Sequence, residues 1–433
     1  MAFKALADAE AELTAALGTM AFAKQLREVL ERSSWDAPSR LTEHVPLSAI
    51  RALLQRGLEA VQNDRAVVHV RRSRSSVTIV GDTHGQLHDV ITIFDSFGPP
   101  SADNVLVFNG DLVDRGAWGI ENVLLVLAFK LASPTGLFIL RGNHETSATQ
   151  ACYGLAGELR AKLGPAEVDG AYGPVGIWRQ LLDICVALPL ALTIASESRE
   201  HEGVAVLHGG LPRPVNGKKR KRGQTSVVSL DGIAQAAAES ENGGTDPIEG
   251  KFSRIVAEVL WSDPTARKGM HSNDDRGLGA LFGPDATEAW LANEGLGLLV
   301  RGHEGPEARL MRKQVSDGQD SLGFDLSEFS GFFVDHRFEE SRHPSCVTVF
   351  SAPSYPQFDP DFHVPRAAVL CLSGPSYASS AEPNYITTSP RPSSGEAFYD
   401  ETEGSELKAP VPDSNDIDEV DSGVTHINSK RKE

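Results

Sequence analysis

Three short polar signatures, each placed directly after a short apolar run, leave this chain few ways to fold. They are Gly81-Asp82-Thr83-His84-Gly85, Gly110-Asp111-Leu112-Val113-Asp114-Arg115-Gly116 and Gly142-Asn143-His144-Glu145. The preceding runs, Val77 to Val80, Val105 to Phe108 and Leu137 to Leu140, are β-branched or apolar and too short for helices. Each reads as a strand ending at a glycine-containing turn. Between them, Leu87 to Phe97 and Ile120 to Leu131 carry apolar residues at three- and four-residue steps, the period of one helix face. The stretch therefore predicts a βαβαβ unit with parallel strands and covering helices. Residues just past the carboxyl ends of such strands face the ligand crevice. Asp82, His84, Asp111, Asn143 and His144 are thus expected at one site.

Carboxylate, imidazole and amide oxygen are the donors of a two-metal centre for divalent Mn, Fe or Zn, and a carboxylate can bridge two ions. An Asp after a strand is by itself more often a turn residue or a helix cap, but three signatures in order, each behind a strand, argue against that plain reading. Two further imidazoles follow apolar runs. His208 follows Val204 to Leu207, and His303 follows Leu298 to Val300 with Arg301 and Gly302 between. Placed at the same edge of the same sheet, they complete the donor set.

These residues, with Asp114, Arg115, the stretch Leu260-Trp261-Ser262-Asp263-Pro264 and the stretch Phe350-Ser351-Ala352-Pro353-Ser354-Tyr355, resemble in order the signatures of the PPP family of protein serine/threonine phosphatases. The resemblance spans about residues 45 to 373. Thr83, the run Phe108 to Gly119, the run Phe282 to Asp285 and the run Tyr355 to Phe358 are most similar to the type-5 and type-7 branch. It implies an α/β fold, a metallophosphoesterase-type β-sandwich flanked by helices around the βαβαβ metal-binding core.

What the resemblance implies for chemistry is specific. Asp82, His84 and Asp111 hold one divalent ion, and Asp111, Asn143, His208 and His303 hold the other, with Mn, Fe or Zn as candidates. Hydroxide between the ions attacks phosphoserine or phosphothreonine in line, without a covalent phosphoenzyme. Arg115, Arg301, Asn143 and Tyr355 contact the substrate phosphate, and His144, oriented by Asp114, protonates the leaving alkoxide. Two other readings stay open here: a dinucleoside-polyphosphate hydrolase on a related metal core, and an adaptor-type pseudophosphatase. The Trp261-Ser262-Asp263 and Ser351 to Tyr355 stretches favour a protein substrate over the first, and the intact ligand positions disfavour the second.

The rest of the chain adds organisation. With 433 residues there is room for a large catalytic domain and tails. We expect an N-terminal helical extension at 1–44, helical over Ala21 to Arg32, the catalytic domain at 45–373 and a disordered acidic tail at 374–433, rich in Ser, Pro, Glu and Asp. Within the domain, about 213–250 reads as an inserted surface loop carrying Lys218-Lys219-Arg220-Lys221-Arg222. That run is a candidate nuclear signal in a protein expected in cytoplasm, nucleus or both. The formal charge of -18 and pI near 5.2 argue against a nucleic-acid partner. Phosphorylated proteins are the expected partners, and the loop or tail offers contact points for a regulatory protein. Four cysteines without close CxxC spacing indicate neither a zinc finger nor a disulfide framework. No apolar run is long enough to span a bilayer.

Overall fold

The computed structural model describes residues 13, 15–35, 40–71, 75–170, 175–195, 202–214, 227–240, 253–306, 308–309, 329–355 and 366–392. Two sheets face each other. The first has the order β14-β13-β2-β3-β4, formed by β2 (Ser76–Val80), β3 (Asn104–Phe108), β4 (Leu137–Ile139), β13 (Arg366–Ser373) and β14 (Glu382–Thr387). The second has the order β1-β5-β6-β10-β12-β11, from β1 (Val67–Arg71), β5 (Ala191–Ala195), β6 (Val204–Leu207), β10 (Leu298–Arg301), β11 (Phe332–Arg337) and β12 (Pro344–Val349). Short strands β7 (Asp263–Pro264), β8 (Met270–Ser272) and β9 (Ala280–Phe282) form a third, small sheet. The longer helices are α1 (Met20–Ser34), α2 (Leu47–Gln62), α3 (Leu87–Phe97), α4 (Gly119–Ala132), α5 (Leu155–Leu163), α6 (Ile177–Ala187), α7 (Leu230–Ala238), α8 (Arg254–Trp261) and α9 (Pro284–Glu294).

Alternation along the strands explains the layers. Val77, Ile79, Val105 and Val107 point between the sheets and meet Leu192, Ile194, Val204, Val206, Leu298 and Val300 from the other side. Their neighbours Val80, Leu106 and Phe108 point outward, under helices α1 to α6. Helices α7 to α9 cover the outer face of the second sheet. Strands buried on both faces read as unbroken apolar runs rather than alternating ones, which is why the sequence showed them so plainly. β2, β3 and β4 pair in parallel and in that order, as the βαβαβ pattern requires.

The α/β sandwich expected from the resemblance is present, with differences in detail. His208 and His303 do not leave the same sheet as the three signatures: β6 and β10 are parallel neighbours in the opposing sheet. The N-terminal helix α1 packs against the catalytic domain, with Phe22, Leu26 and Leu30 buried in the core beneath α4. The fold does not stop at 373. β14 pairs with β13 over six residues, so residues 374–392 belong to the fold. The stretch read as an inserted loop at 213–250 contains α7, capped by Ser229 on Gly232 N and burying Leu230, Ile233 and Ala236. The basic run Lys218 to Arg222 and the tail from 393 lie outside the described residues.

One buried ion cluster fixes the helix behind the second signature. The Glu158 carboxylate accepts the Gly119 and Ile120 N–H groups at 3.0 Å each, satisfying donors that the first turn of α4 leaves open. Lys162 Nζ, fully buried, donates to Glu121 at 2.6 and 2.7 Å, to Glu158 at 3.0 Å and to the Ala117 carbonyl at 2.6 Å. A single ammonium thereby serves two buried carboxylates behind the turn that carries Asp114 and Arg115.

Candidate active site

The carboxyl ends of five strands from two sheets converge on one cleft. β2 delivers Asp82 and His84, β3 delivers Asp111, Asp114 and Arg115, and β4 delivers Asn143 and His144, while β6 and β10 deliver His208 and His303. A parallel bridge between Asp82 and Phe350 links the sheets at this edge. Among the described residues, six non-glycine positions have positive φ, and five of them are here: His84, Asp111, Asp114, Arg115 and His303. Each such conformation costs on the order of 1–3 kcal/mol and persists only where surrounding structure enforces it. Gly110 supplies part of that enforcement: its φ is +84°, and a Cβ there would run into the backbone of Gly142. The two signature loops are packed too closely to admit one.

Glu145 joins the loops further, its carboxylate accepting from the N–H groups of Asp111, Leu112 and Gly142 at 2.8, 2.9 and 2.7 Å. Burial, with Asp111 adding to it, pushes the Glu145 carboxyl up to about 7.

The donors meet around Asp111. His208 Nε2 is 3.4 Å from Asp111 Oδ1, and His84 Nε2 is 3.7 Å from Asp111 Oδ2 and 4.0 Å from Asp82 Oδ2. Asn143 Oδ1 lies 2.8 Å from both His208 Nε2 and His303 Nδ1. Carbonyls of Val113 and Asn109 engage the Nδ1 atoms of His84 and His208 at 3.1 and 2.7 Å. That contact places the ring proton on Nδ1 and leaves Nε2 with a lone pair for a ligand. Asp82 accepts the His303 N–H at 3.0 Å on both oxygens.

These groups suit cations. Two clusters, His84 with Asp111 and His144, and Asp111 with His208 and His303, each bring their ligand atoms within 4.8 Å of one another, and Asp111 is common to both. Burial alone would raise the Asp111 carboxyl, but His208, His144 and His84 hold it below its ordinary value. Burial would lower His208, yet Asp111 and Asp82 push it up to about 9. Burial, then Asp111, lifts Asp82 to about 6. A buried cluster that draws protons onto its own members is one that divalent ions can neutralise instead. The donors are oxygen and imidazole without thiolate, a set that fits Mn, Fe or Zn.

Beside the donors stands His144, whose Nδ1 is 2.8 Å from Asp114 Oδ2; the other Asp114 oxygen accepts the Leu155 N–H at 2.8 Å. Burial opposes charge on this imidazole, but Asp111 and Asp114 outweigh it, and its pKa is raised. Arg115 lies over the Tyr153 ring, 4.3 Å from its centre. Tyr355 sits 4.9 Å from the His84 ring, centre to centre. Arg115, His144, Tyr153, Trp261, Arg276 and Tyr355 wall a cleft of about 130 Å³ over the donors. A larger cavity of about 440 Å³, bounded by Val67, Leu188, Ala234 and Arg141, holds none of these groups.

Arg301 is not among the cleft residues, contrary to its expected role on phosphate. It is fully buried and spends its donors on the Gly209 and Ser262 carbonyls, Glu304 and Asp263. Asp263 in turn pairs with Arg276, whose side chain reaches the cleft. Arg276 is the residue sequence reasoning missed. Its signal was an Arg-Gly pair in the polar loop Asn273 to Gly277, the same pair that marks Arg115-Gly116. Arg276→Ala should lower kcat/KM for a phosphopeptide about 10- to 100-fold with little loss of thermal stability, whereas Arg301→Ala should chiefly lower the melting temperature. Steady-state kinetics beside thermal unfolding separates the two.

Residues 75–306 match the calcineurin-like phosphoesterase family, and the chain belongs to that family. Its relatives carry a narrower name. It is 34% identical over 393 residues to serine/threonine-protein phosphatase 7 of Arabidopsis thaliana, covering 87% of this chain and 88% of the relative. It is 32% identical over 284 residues to serine/threonine-protein phosphatase 5 of Homo sapiens, covering 66% of this chain and 44% of the relative. The type-5 and type-7 likeness expected from the motifs is therefore met. Among solved structures, a protein serine/threonine phosphatase from Saccharomyces cerevisiae shares the fold, with a TM-score of 0.58, 24% identity and coverage of 80% of this chain and 92% of that one.

Proposed function

We propose that this chain is a protein serine/threonine phosphatase that hydrolyses phosphoserine and phosphothreonine at a dinuclear metal centre. The observation that carries the reading is the juxtaposition, in one cleft, of the Asp111-centred donor clusters with the His144–Asp114 pair. Asp82, His84 and Asp111 would hold one ion, and Asp111, Asn143, His208 and His303 the other. When bound, the ions polarise the phosphoryl oxygens and make water available as a nucleophile at neutral pH.

The chain's own residues do the rest. Arg115 and Arg276 present planar guanidinium forks to the phosphoryl oxygens, and their attraction grows as those oxygens gain charge in the transition state. His144 donates the Nε2 proton to the leaving serine or threonine alkoxide, whose own pKa is far above neutrality. Asp114 holds the opposite ring nitrogen and keeps the ring aimed. Tyr153, Trp261 and Tyr355 wall the cleft and limit water around the reacting group. Phosphorylated proteins are the substrates. Among the described residues no helix is long and apolar enough to cross a membrane.

Phosphate release by the purified chain supplied with Mn tests this directly. A phosphoserine or phosphothreonine peptide should be turned over much faster than diadenosine tetraphosphate, and a chelator should abolish turnover until metal is restored. Preference for the dinucleotide, or peptide turnover indifferent to chelator, would sink the proposal.

A further inference from the structure

Past β14 the chain does not leave the domain. Residues 388–391 cross the amino-terminal end of α3, directly behind the first signature. The Ser389 N–H donates to Asp89 Oδ1 at 2.9 Å, and the Ser389 and Thr92 hydroxyls meet at 2.7 Å. Arg391 Nη2 donates to Asp89 Oδ2 at 2.6 Å, and its Nε returns to the Ser389 carbonyl at 3.1 Å. Asp89 is 1% exposed and Arg391 12%, so solvent screens this pair little.

The same short segment touches residues that adjoin the cleft walls. Arg391 Nη1 donates to Gln86 Oε1 at 3.4 Å, and that oxygen also accepts the Ser354 N–H at 3.1 Å. The Ser354 hydroxyl donates to Thr388 Oγ1 at 3.3 Å, and Thr388 donates onward to the Pro353 carbonyl at 3.4 Å. Ser354 immediately precedes Tyr355, a wall of the cleft, and Gln86 lies two residues past His84. On its other flank the loop is already fixed, with the Ser351 hydroxyl accepting from Gly81 N–H and donating to the Ala368 carbonyl. The loop that carries Tyr355 therefore has two anchors, one internal to the sandwich and one supplied by the crossing segment, beside the ring's own packing on Phe350 and His84.

We propose that the Arg391–Asp89 latch, acting through Gln86 and Ser354, positions Tyr355 over the substrate cleft and so sets the affinity for phosphopeptide. Arg391 and Asp89 are positioning residues, remote from the reacting atoms. The proposal rests on the phosphatase reading above, because Tyr355 matters only if the cleft receives a phosphorylated chain.

A double-mutant cycle in the full-length chain tests it. Arg391→Ala should raise KM for a phosphoserine peptide about 5- to 10-fold while kcat stays within about twofold. Added to Tyr355→Ala, it should raise KM no further, since the residue it positions is gone. Arg391→Lys keeps the charge on Asp89 but lacks the fork that also reaches Gln86, and should fall between; it serves as well if the alanine variant folds poorly. An unchanged KM in Arg391→Ala, or KM effects that multiply in the double variant, overturns the latch while the wild-type activity still supports the phosphatase reading. A wild-type chain inert toward the peptide overturns both.

Discussion

Substituting His144 with Asn should reduce kcat for a phosphoserine peptide by about 100- to 10,000-fold, the range contributed by a positioned acid, while bound metal stays at the wild-type level. The His144 ring is held by Asp114 at 2.8 Å, whereas the backbone N–H of the same residue, which the substitution keeps, donates to Asp111 at 2.9 Å. His144 is one corner of the His84–Asp111 cluster, but its Nδ1 is held by Asp114, so loss of the ring removes the proton donor and leaves the proposed ligands Asp82, His84, Asp111, Asn143, His208 and His303 in place. A discriminating control is an aryl phosphate with an acidic phenol as leaving group. Its departing oxygen needs no proton, so the variant should be far less impaired on it. Equal losses on both substrates, or a kcat near wild type on the peptide, would remove His144 from the acid's role.

Lys162→Met should destabilise the fold by about 3–5 kcal/mol, the penalty for leaving buried charge without its partner. Lys162 is the cation for both Glu121 and Glu158, and all three side chains are at most 2% exposed. Burial already pushes the Glu121 carboxyl up to about 7 with Lys162 beside it. Without the ammonium, two carboxylates would face each other in the interior, one of them still capping α4. Thermal unfolding should show the melting temperature falling by on the order of 5–10 °C, and adding Glu121→Gln should restore part of it. An unchanged melting temperature would mean that the cluster contributes little to cohesion.

Much of the fold was legible because its signals are local. Each of Val77 to Val80, Val105 to Phe108 and Leu137 to Leu140 declares a strand and a turn within ten residues, and parallel order follows from the helices between them. The partner sheet of β6 and β10 was not legible. Strand pairing across almost a hundred residues leaves no mark in either run, and an apolar segment buried on both faces suits either sheet. Arg301 and Arg276 show a related limit. Both precede a glycine in a loop, and only burial separates the one consumed by Asp263 and Glu304 from the one that reaches the cleft. Beyond Pro375 the composition is that of a solvated tail, yet β14 needs few apolar residues because its partner is the backbone of β13; Ile386 alone is well buried there. The helix Leu230–Ala238 did carry a readable signal, Leu230, Ile233 and Ala236 at three-residue steps, obscured by the charged and glycine-rich stretches around it.

The division of donors between facing sheets has a thermodynamic corollary. Asp82, Asp111 and Asn143 belong to one sheet, and His208 and His303 to the other. Any occupant that engages both groups is a rivet through the sandwich, and its binding free energy is added to the work of prying the halves apart. Occupancy of the centre and resistance to unfolding are thus two readings of a single equilibrium.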